Sequence, residues 1–228
     1  MTRDEAWLLK EKYHGVSSQE FLDDCLRLTR GEPLAYVIGH IPFLDTTIFL
    51  DSKPLIPRSE TEYWVRDLIS VLFAQDVLSA ASLQVLDLCA GSGCIGVSLL
   101  KSLPNTFVDF VEIEERHHAT ILKNVYENGV NEARTRVFNG DLFYNVSDTY
   151  QVITANPPYI DKNLGRTEES VLVYEPEKAL FAEDGGFEIL ERIIREAPHY
   201  LTPHGLLILE HEPEHRERVQ READRQGL

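Results

Sequence analysis

The sequence predicts an α/β protein, a parallel sheet covered by helices on both faces, preceded by a small N-terminal region of helices and a β-hairpin. Two observations carry this. From Leu83 onward, short β-branched runs alternate with segments of helical period, the pattern of βαβ units. The first of these runs, LQVLDLC, enters the glycine-rich turn AGSGCIG, where a strand gives way to a helix.

In chain order, Asp4 and Glu5 open a first helix through AWLLKEKY, with Gly15 as its stop. Ser17 and Glu20 match a capping box before FLDDCLRLTR, which Gly31 closes. The stretch EPLAYVIGHIPFLDTTIFLDSKPLIPR mixes β-branched, aromatic and turn residues and predicts a small hairpin. Trp64, Val65, Leu68, Ile69 and Leu72 recur at helical spacing, and residues around 74–83 read as a linker. After LQVLDLC come the helix IGVSLLKSL, the strand FVDFVEI, the helix RHHATILKNVYENG, the short strand TRVFN and the strand YQVITA. The helix GGFEILERIIREAPHYL and the strand GLLILEH follow.

The 228 residues carry a net charge of −16, with 43% hydrophobic and 26% charged residues. An acidic balance argues against direct nucleic-acid binding, where neutralising phosphates supplies much of the affinity. No apolar run approaches a membrane span, and the opening MTRDEAWLLKEKYHG is too charged for a signal peptide. Cys25, Cys89 and Cys94 form no CxxC pair, so no disulfide framework is expected and a cytoplasmic location is.

Gly91, Gly93 and Gly96 have GxGxxG spacing, and Glu112 ends the next strand. Glycines there let a ligand approach the backbone, and the acid can accept both hydroxyls of a ribose. Nicotinamide, flavin and S-adenosylmethionine proteins all use versions of this turn. Asp87 inside the preceding strand and Asp141 after the third strand favour S-adenosylmethionine.

At the end of YQVITA stands Asn156-Pro157-Pro158-Tyr159, poor material for extending a strand because proline donates no ladder hydrogen bond. The Asn156 side-chain oxygen and the Pro157 carbonyl can together accept two hydrogen bonds from one –NH2 group, with Tyr159 packed on its planar face. Two fixed acceptors aim the delocalised lone pair of such a nitrogen and stabilise the positive charge it develops.

NPPY with DLCAGSG resembles the class I amino-group methyltransferases. EPLAYVIGHIPF, LIPRSETE, NPPYI, YEPEKAL, DGG and LILEH, spread from Glu32 to His211, are similar to one branch, the release factor glutamine N5-methyltransferases. The resemblance implies a Rossmann-like class I methyltransferase sheet in residues 80–228, with residues 1–75 as a substrate-recognition region. It implies a cofactor loop of Cys89, Ala90, Gly91, Ser92 and Gly93, Glu112 on the ribose, and Asp141 with the Leu142 backbone on the adenine. Asn156 to Tyr159 would clamp the acceptor glutamine, Asn156 touching cofactor as well, while Phe43 and Arg58 line the entrance. The implied cofactor is S-adenosylmethionine, without metal. The implied partner is a class 1 peptide chain release factor, methylated in its Gly-Gly-Gln loop. A ribosomal protein glutamine, the N6 of a nucleic-acid adenine, and binding without catalysis remain open alternatives.

This chain departs from the family pattern in three places. Cys89-Ala90 replaces the usual Gly-Thr pair, the helical region before EPLAY is about half the usual length, and the chain stops at READRQGL, so the last sheet strands are expected to be missing. HEPEH matches the zinc-protease signature, but Pro213 interrupts the helix that signature needs. His117 and His118 read as solvated, and Cys94 as a packing residue.

Overall fold

The computed structural model describes residues 1–74 and 82–228. The expected linker at 74–83, and with it the boundary between the two expected regions, falls mostly on 75–81, outside the described residues. Helix α1 (Arg3–Glu11) starts on a reciprocal capping box, the Thr2 hydroxyl accepting from the Glu5 N–H and the Glu5 carboxylate accepting from the Thr2 N–H. Helix α2 (Gln19–Thr29) is capped by Ser18, whose hydroxyl accepts from Phe21 N, and not by the expected Ser17. The following EPLAYVIG is a helix, α3 (Leu34–Ile38), where a strand of the hairpin was expected. Its Val37 packs with Leu8 and Phe21 into a small cluster of its own.

The hairpin itself is β1 (His40–Phe43) and β2 (Thr46–Phe49), joined through Leu44 and Asp45. Helix α4 (Ser59–Ala74) follows, its Val65, Leu68 and Leu72 facing the core. Then come β3 (Leu83–Leu88), α5 (Cys94–Ser102), β4 (Thr106–Glu112), α6 (His118–Glu127), β5 (Thr135–Asn139) and β6 (Tyr150–Ala155). A long connection carries α7 (Glu169–Tyr174) and the single turn α8 (Glu183–Gly186). Helix α9 (Glu188–Glu196), β7 (Leu201–Leu209) and α10 (Arg216–Gln226) complete the order.

The five long strands pair in parallel in the order β5-β4-β3-β6-β7. The chain fills one half of the sheet outward from β3, then returns to β6 on its other side. Between the carboxyl ends of β3 and β6 the flanking connections diverge, which opens the crevice where sheets of this kind bind ligands. A buried layer lies on each face: Val85, Leu99 and Phe110 join the hairpin and α4 on one side. Leu86, Ile153 and Ile193 pack with α9 on the other. Helix α5 sits close to β4 at Gly96, where a Cβ would stand 2.3 Å from the Phe110 ring.

Asn124 of α6 and Asn128, which caps the end of that helix, pin the hairpin to the sheet domain. Asn124 exchanges two hydrogen bonds with the Phe49 backbone, at 2.7 and 3.0 Å, and Asn128 does the same with Thr47, at 2.9 and 2.8 Å. The free edge of β2 is thus satisfied by side-chain amides that stand in for a strand. Among the described residues, no helix is long and apolar enough to cross a membrane.

Candidate active site

The turn after β3 bends through left-handed backbone at Cys89 (φ 54°), Gly91 (φ 56°) and Gly93 (φ 77°). Glycine adopts this conformation freely; cysteine does so at a cost of about 1 kcal/mol. Cys89 therefore stores strain at the turn that a glycine would not. Glu112, at the end of β4, reaches across to this turn. Its Oε2 accepts from Gly91 N at 2.7 Å and its Oε1 from Glu114 N at 2.8 Å. Desolvation pushes the Glu112 carboxyl above its ordinary range, against the two N–H groups that favour its charge. Deeper in the sheet, Asp87 is fully buried and takes hydrogen bonds from the Thr154 hydroxyl and Gly96 N, each at 3.0 Å. Burial raises it to about 7.

Asp141 and Leu142 follow β5. Asp141 is partly exposed and accepts from Arg192 of α9 at 2.9 Å. Leu142 is buried in a left-handed conformation, which turns the chain back toward the sheet.

Asn156 to Tyr159 leave β6 beside the glycine turn. Asn156 Nδ2 donates to Thr61 Oγ1 at 3.0 Å, and the Tyr159 hydroxyl donates to Glu210 Oε1 at 2.9 Å. From below, His215 Nε2 donates to the Tyr159 carbonyl at 3.0 Å. Burial and the Glu210 carboxylate hold the Tyr159 phenol in its neutral form by raising its pKa.

One cavity of about 600 Å³ opens at this edge, and Cys89, Gly91, Glu112, Asp141, Leu142, Asn156 and Pro158 line it. A second, small hollow of about 50 Å³ lies behind, lined by Arg58, Pro157 and Tyr159. Leu55, Asn156 and Ala179 line both, so Asn156 stands at the junction of a large chamber and a small one.

Not every expected residue reaches these spaces. Ala90, Ser92 and Gly93 shape the turn without lining either, and Ala90 and Ser92 are buried. Phe43 belongs to the core, 1% exposed, because the hairpin turns this residue inward under Ile48 and α4; it lines no entrance. Arg58 does line the small hollow, held by Glu175, whose second oxygen takes Ile56 N. His117 also differs from expectation. It is 3% exposed, lines the large cavity and shares a 2.7 Å hydrogen bond with Ser52. Burial, helped by the neighbouring Arg116, lowers its pKa to about 4.

Thr61, Trp64 and Glu210 were not foreseen as site residues, although LIPRSETE and LILEH had marked their neighbourhoods. In HEPEH, Pro213 opens a 3-10 turn and His215 is turned under Tyr159, while His211 donates to the Glu212 carbonyl. Among the described residues, no three His, Cys, Asp or Glu side chains converge as a metal set would.

The methyltransferase small domain family matches residues 65–216. The release factor glutamine methyltransferase of Lactococcus lactis is 32% identical over 205 residues, covering 89% of this chain and 72% of that protein. This chain belongs to the release factor glutamine methyltransferase family. The ribosomal protein uL3 glutamine methyltransferase of Francisella tularensis is 33% identical, over 89% of this chain and 62% of its own length. The chain therefore spans less of this relative than of the Lactococcus one. Among solved structures, a methyltransferase from Pyrococcus furiosus superposes with a TM-score of 0.58 at 18% identity, covering 90% of this chain and 87% of that one. The catalytic domain of hMettl16, solved with MAT2A 3′UTR hairpin 6, gives 0.58 at 20% identity, covering 80% and 68%. At these identities the two structures establish the fold, a class I methyltransferase sheet.

Proposed function

We propose that this methyltransferase transfers a methyl group from S-adenosylmethionine to the side-chain amide nitrogen of a protein glutamine, that of the Gly-Gly-Gln loop in a class 1 peptide chain release factor. The observation that carries the reading is the place of Asn156 between the two chambers, beside the carbonyl of Pro157. A planar –NH2 entering from the small hollow meets both acceptors together and faces the large chamber.

The large chamber fits the cofactor on its own chemistry. Glu112 at the end of β4 and the Gly91 backbone bonded to it line this chamber, which supports a ribose there, and the Asp141 carboxylate, also in the lining, offers an acceptor to an adenine amino group. When bound, S-adenosylmethionine supplies a methyl group on a positively charged sulfonium. The protein's share is positioning: Asn156 Oδ1 and the Pro157 carbonyl accept both amide hydrogens, and the stiff Pro157-Pro158 pair stops them moving. They favour the nitrogen as it becomes positive, and no strong base is required because a cationic amide nitrogen loses its proton readily to water. The acidic chain suits a protein acceptor better than a polyphosphate one.

The test is transfer of tritium from labelled S-adenosylmethionine to purified release factor, beside its Gly-Gly-Ala variant, ribosomal protein uL3, DNA and RNA. Label on the first alone supports the reading. Label on uL3 alone moves the acceptor to the ribosome, and label only on DNA or RNA overturns the protein substrate.

A further inference from the structure

Asn156 can work as an acceptor only if its amide is turned one way, and the residues that turn it lie outside the NPPY segment. Its Nδ2 lies 3.0 Å from Thr61 Oγ1. Thr61 is 1% exposed, and its hydroxyl carries a single proton. That proton goes to Glu210 Oε2 at 2.7 Å. The indole N–H of Trp64, which can only donate, occupies the same oxygen at 2.7 Å, and the Tyr159 hydroxyl donates to Oε1 at 2.9 Å. Three donors thus converge on one carboxylate. Having spent its proton on Glu210, Thr61 meets Asn156 as an acceptor, and only the –NH2 end of the amide can face it. Oδ1 is left pointing away from Thr61.

We propose that Glu210 is a positioning residue: acting through Thr61, its carboxylate sets the orientation of the Asn156 amide and so makes the site accept a group that donates hydrogen bonds. Reversed, Asn156 would present two N–H groups to the acceptor's own –NH2, and the pair would repel. Thr61 and Trp64 are three residues apart on one face of α4, and Glu210 follows β7, so the orientation is dictated by an N-terminal helix and the sheet edge. The identity of the acceptor rests on the function proposed above; the amide orientation does not.

The experiment compares Glu210→Leu, Thr61→Val and Thr61→Ser with the unaltered chain. In Glu210→Leu no acceptor remains for the Thr61 hydroxyl, which frees the threonine proton for Asn156 and lets the Asn156 amide reverse. Glu210→Leu and Thr61→Val are expected to lower kcat about 100-fold, the scale of losing one preorganised hydrogen bond, with cofactor Kd held within about twofold. Thr61→Ser, which keeps the hydroxyl, is expected to recover most of the rate lost in Thr61→Val. In an Asn156→Ala background, Glu210→Leu should add less than about a threefold loss, since the two act as one unit. The side-chain –NH2 resonances of Asn156 supply a readout independent of turnover: one proton held by Thr61 in the unaltered chain, and that protection lost in Thr61→Val. A full extra loss in the Asn156→Ala background, undiminished kcat in Glu210→Leu, or unaltered Asn156 resonances in Thr61→Val would each overturn the proposal. If the unaltered chain labels no protein at all, the functional reading fails while the resonances still decide the orientation.

Discussion

Gly186 lies directly against the backbone of Tyr159: a Cβ on the glycine would stand 2.1 Å from the Tyr159 carbonyl oxygen and 3.1 Å from Asp161 N. Its φ of +88° is a left-handed value as well. The segment that follows NPPY thus rests on a residue that must have no side chain. Gly186→Ala is expected to lose about 2–4 kcal/mol, overpacking and backbone strain together, and to shift the Tyr159 backbone. Neighbouring Gly185 is the control, since its Cβ would meet only the Asp161 carboxylate at 3.7 Å. Gly185→Ala should cost about 1 kcal/mol, from its positive φ alone. Urea unfolding of both variants reads the difference, and equal losses would sink the argument.

The sheet was legible because hydrophobic periodicity and glycine turns are local. Each of β3 to β7 was marked by its own β-branched run, and a doubly wound topology then places Glu112, Asp141 and Asn156 at the strands' carboxyl ends. What escaped was non-local. Thr61 meets Asn156 across 95 positions and Glu210 across 149, and no periodicity reports such a pairing. The helix at Leu34–Ile38 was read as strand because its Val and Ile favour strands, while its packing on α1 overrides that preference. Histidine pairs look alike whether solvated or buried, so His117 was misread: its partner Ser52, which also bonds Thr120, comes from 65 positions away.

Asn156 supplies one of the two proposed acceptors, and its Ala variant removes that acceptor while leaving the Pro157 carbonyl. Turnover of Asn156→Ala is expected to fall about 100- to 1,000-fold, while calorimetry shows cofactor affinity changed far less. A parallel loss of both would mean that Asn156 chiefly binds the cofactor.

Glu112 has the opposite signature. Its carboxylate bridges Gly91 and Glu114, which shapes the turn, and leaves lone pairs for the ribose diol proposed above. Glu112→Gln replaces one acceptor oxygen with a donor that faces an N–H. Cofactor Kd is expected to rise about 10- to 100-fold, the worth of one or two charge-assisted hydrogen bonds, with kcat at saturating cofactor reduced far less. Unchanged affinity in calorimetry would remove Glu112 from the cofactor site.

Two buried groups titrate against each other. Asp87 rises from its ordinary 3.8 to about 7, so between those values the folded chain holds a proton that the unfolded chain has lost. Its contribution is largest below about pH 4 and is lost as pH rises toward 7, a change of up to roughly 4 kcal/mol. His117 falls from 6.5 to about 4, so over that range the unfolded chain holds the extra proton. Its contribution is present above about pH 6.5 and is lost as pH falls toward 4, by up to roughly 3 kcal/mol. The two slopes have opposite sign over nearly the same window and largely cancel in the unaltered chain. Each substitution should unmask the other group: relative to the unaltered chain, Asp87→Asn gains stability as pH rises from 4 to 7, and His117→Gln loses it. Urea unfolding at about pH 4.5, 5.5 and 7 measures both differences, chosen on the scale of these shifts. A flat difference for either variant would show that its group keeps its ordinary pKa in the folded chain, and a reversed tilt that its pKa moves the other way.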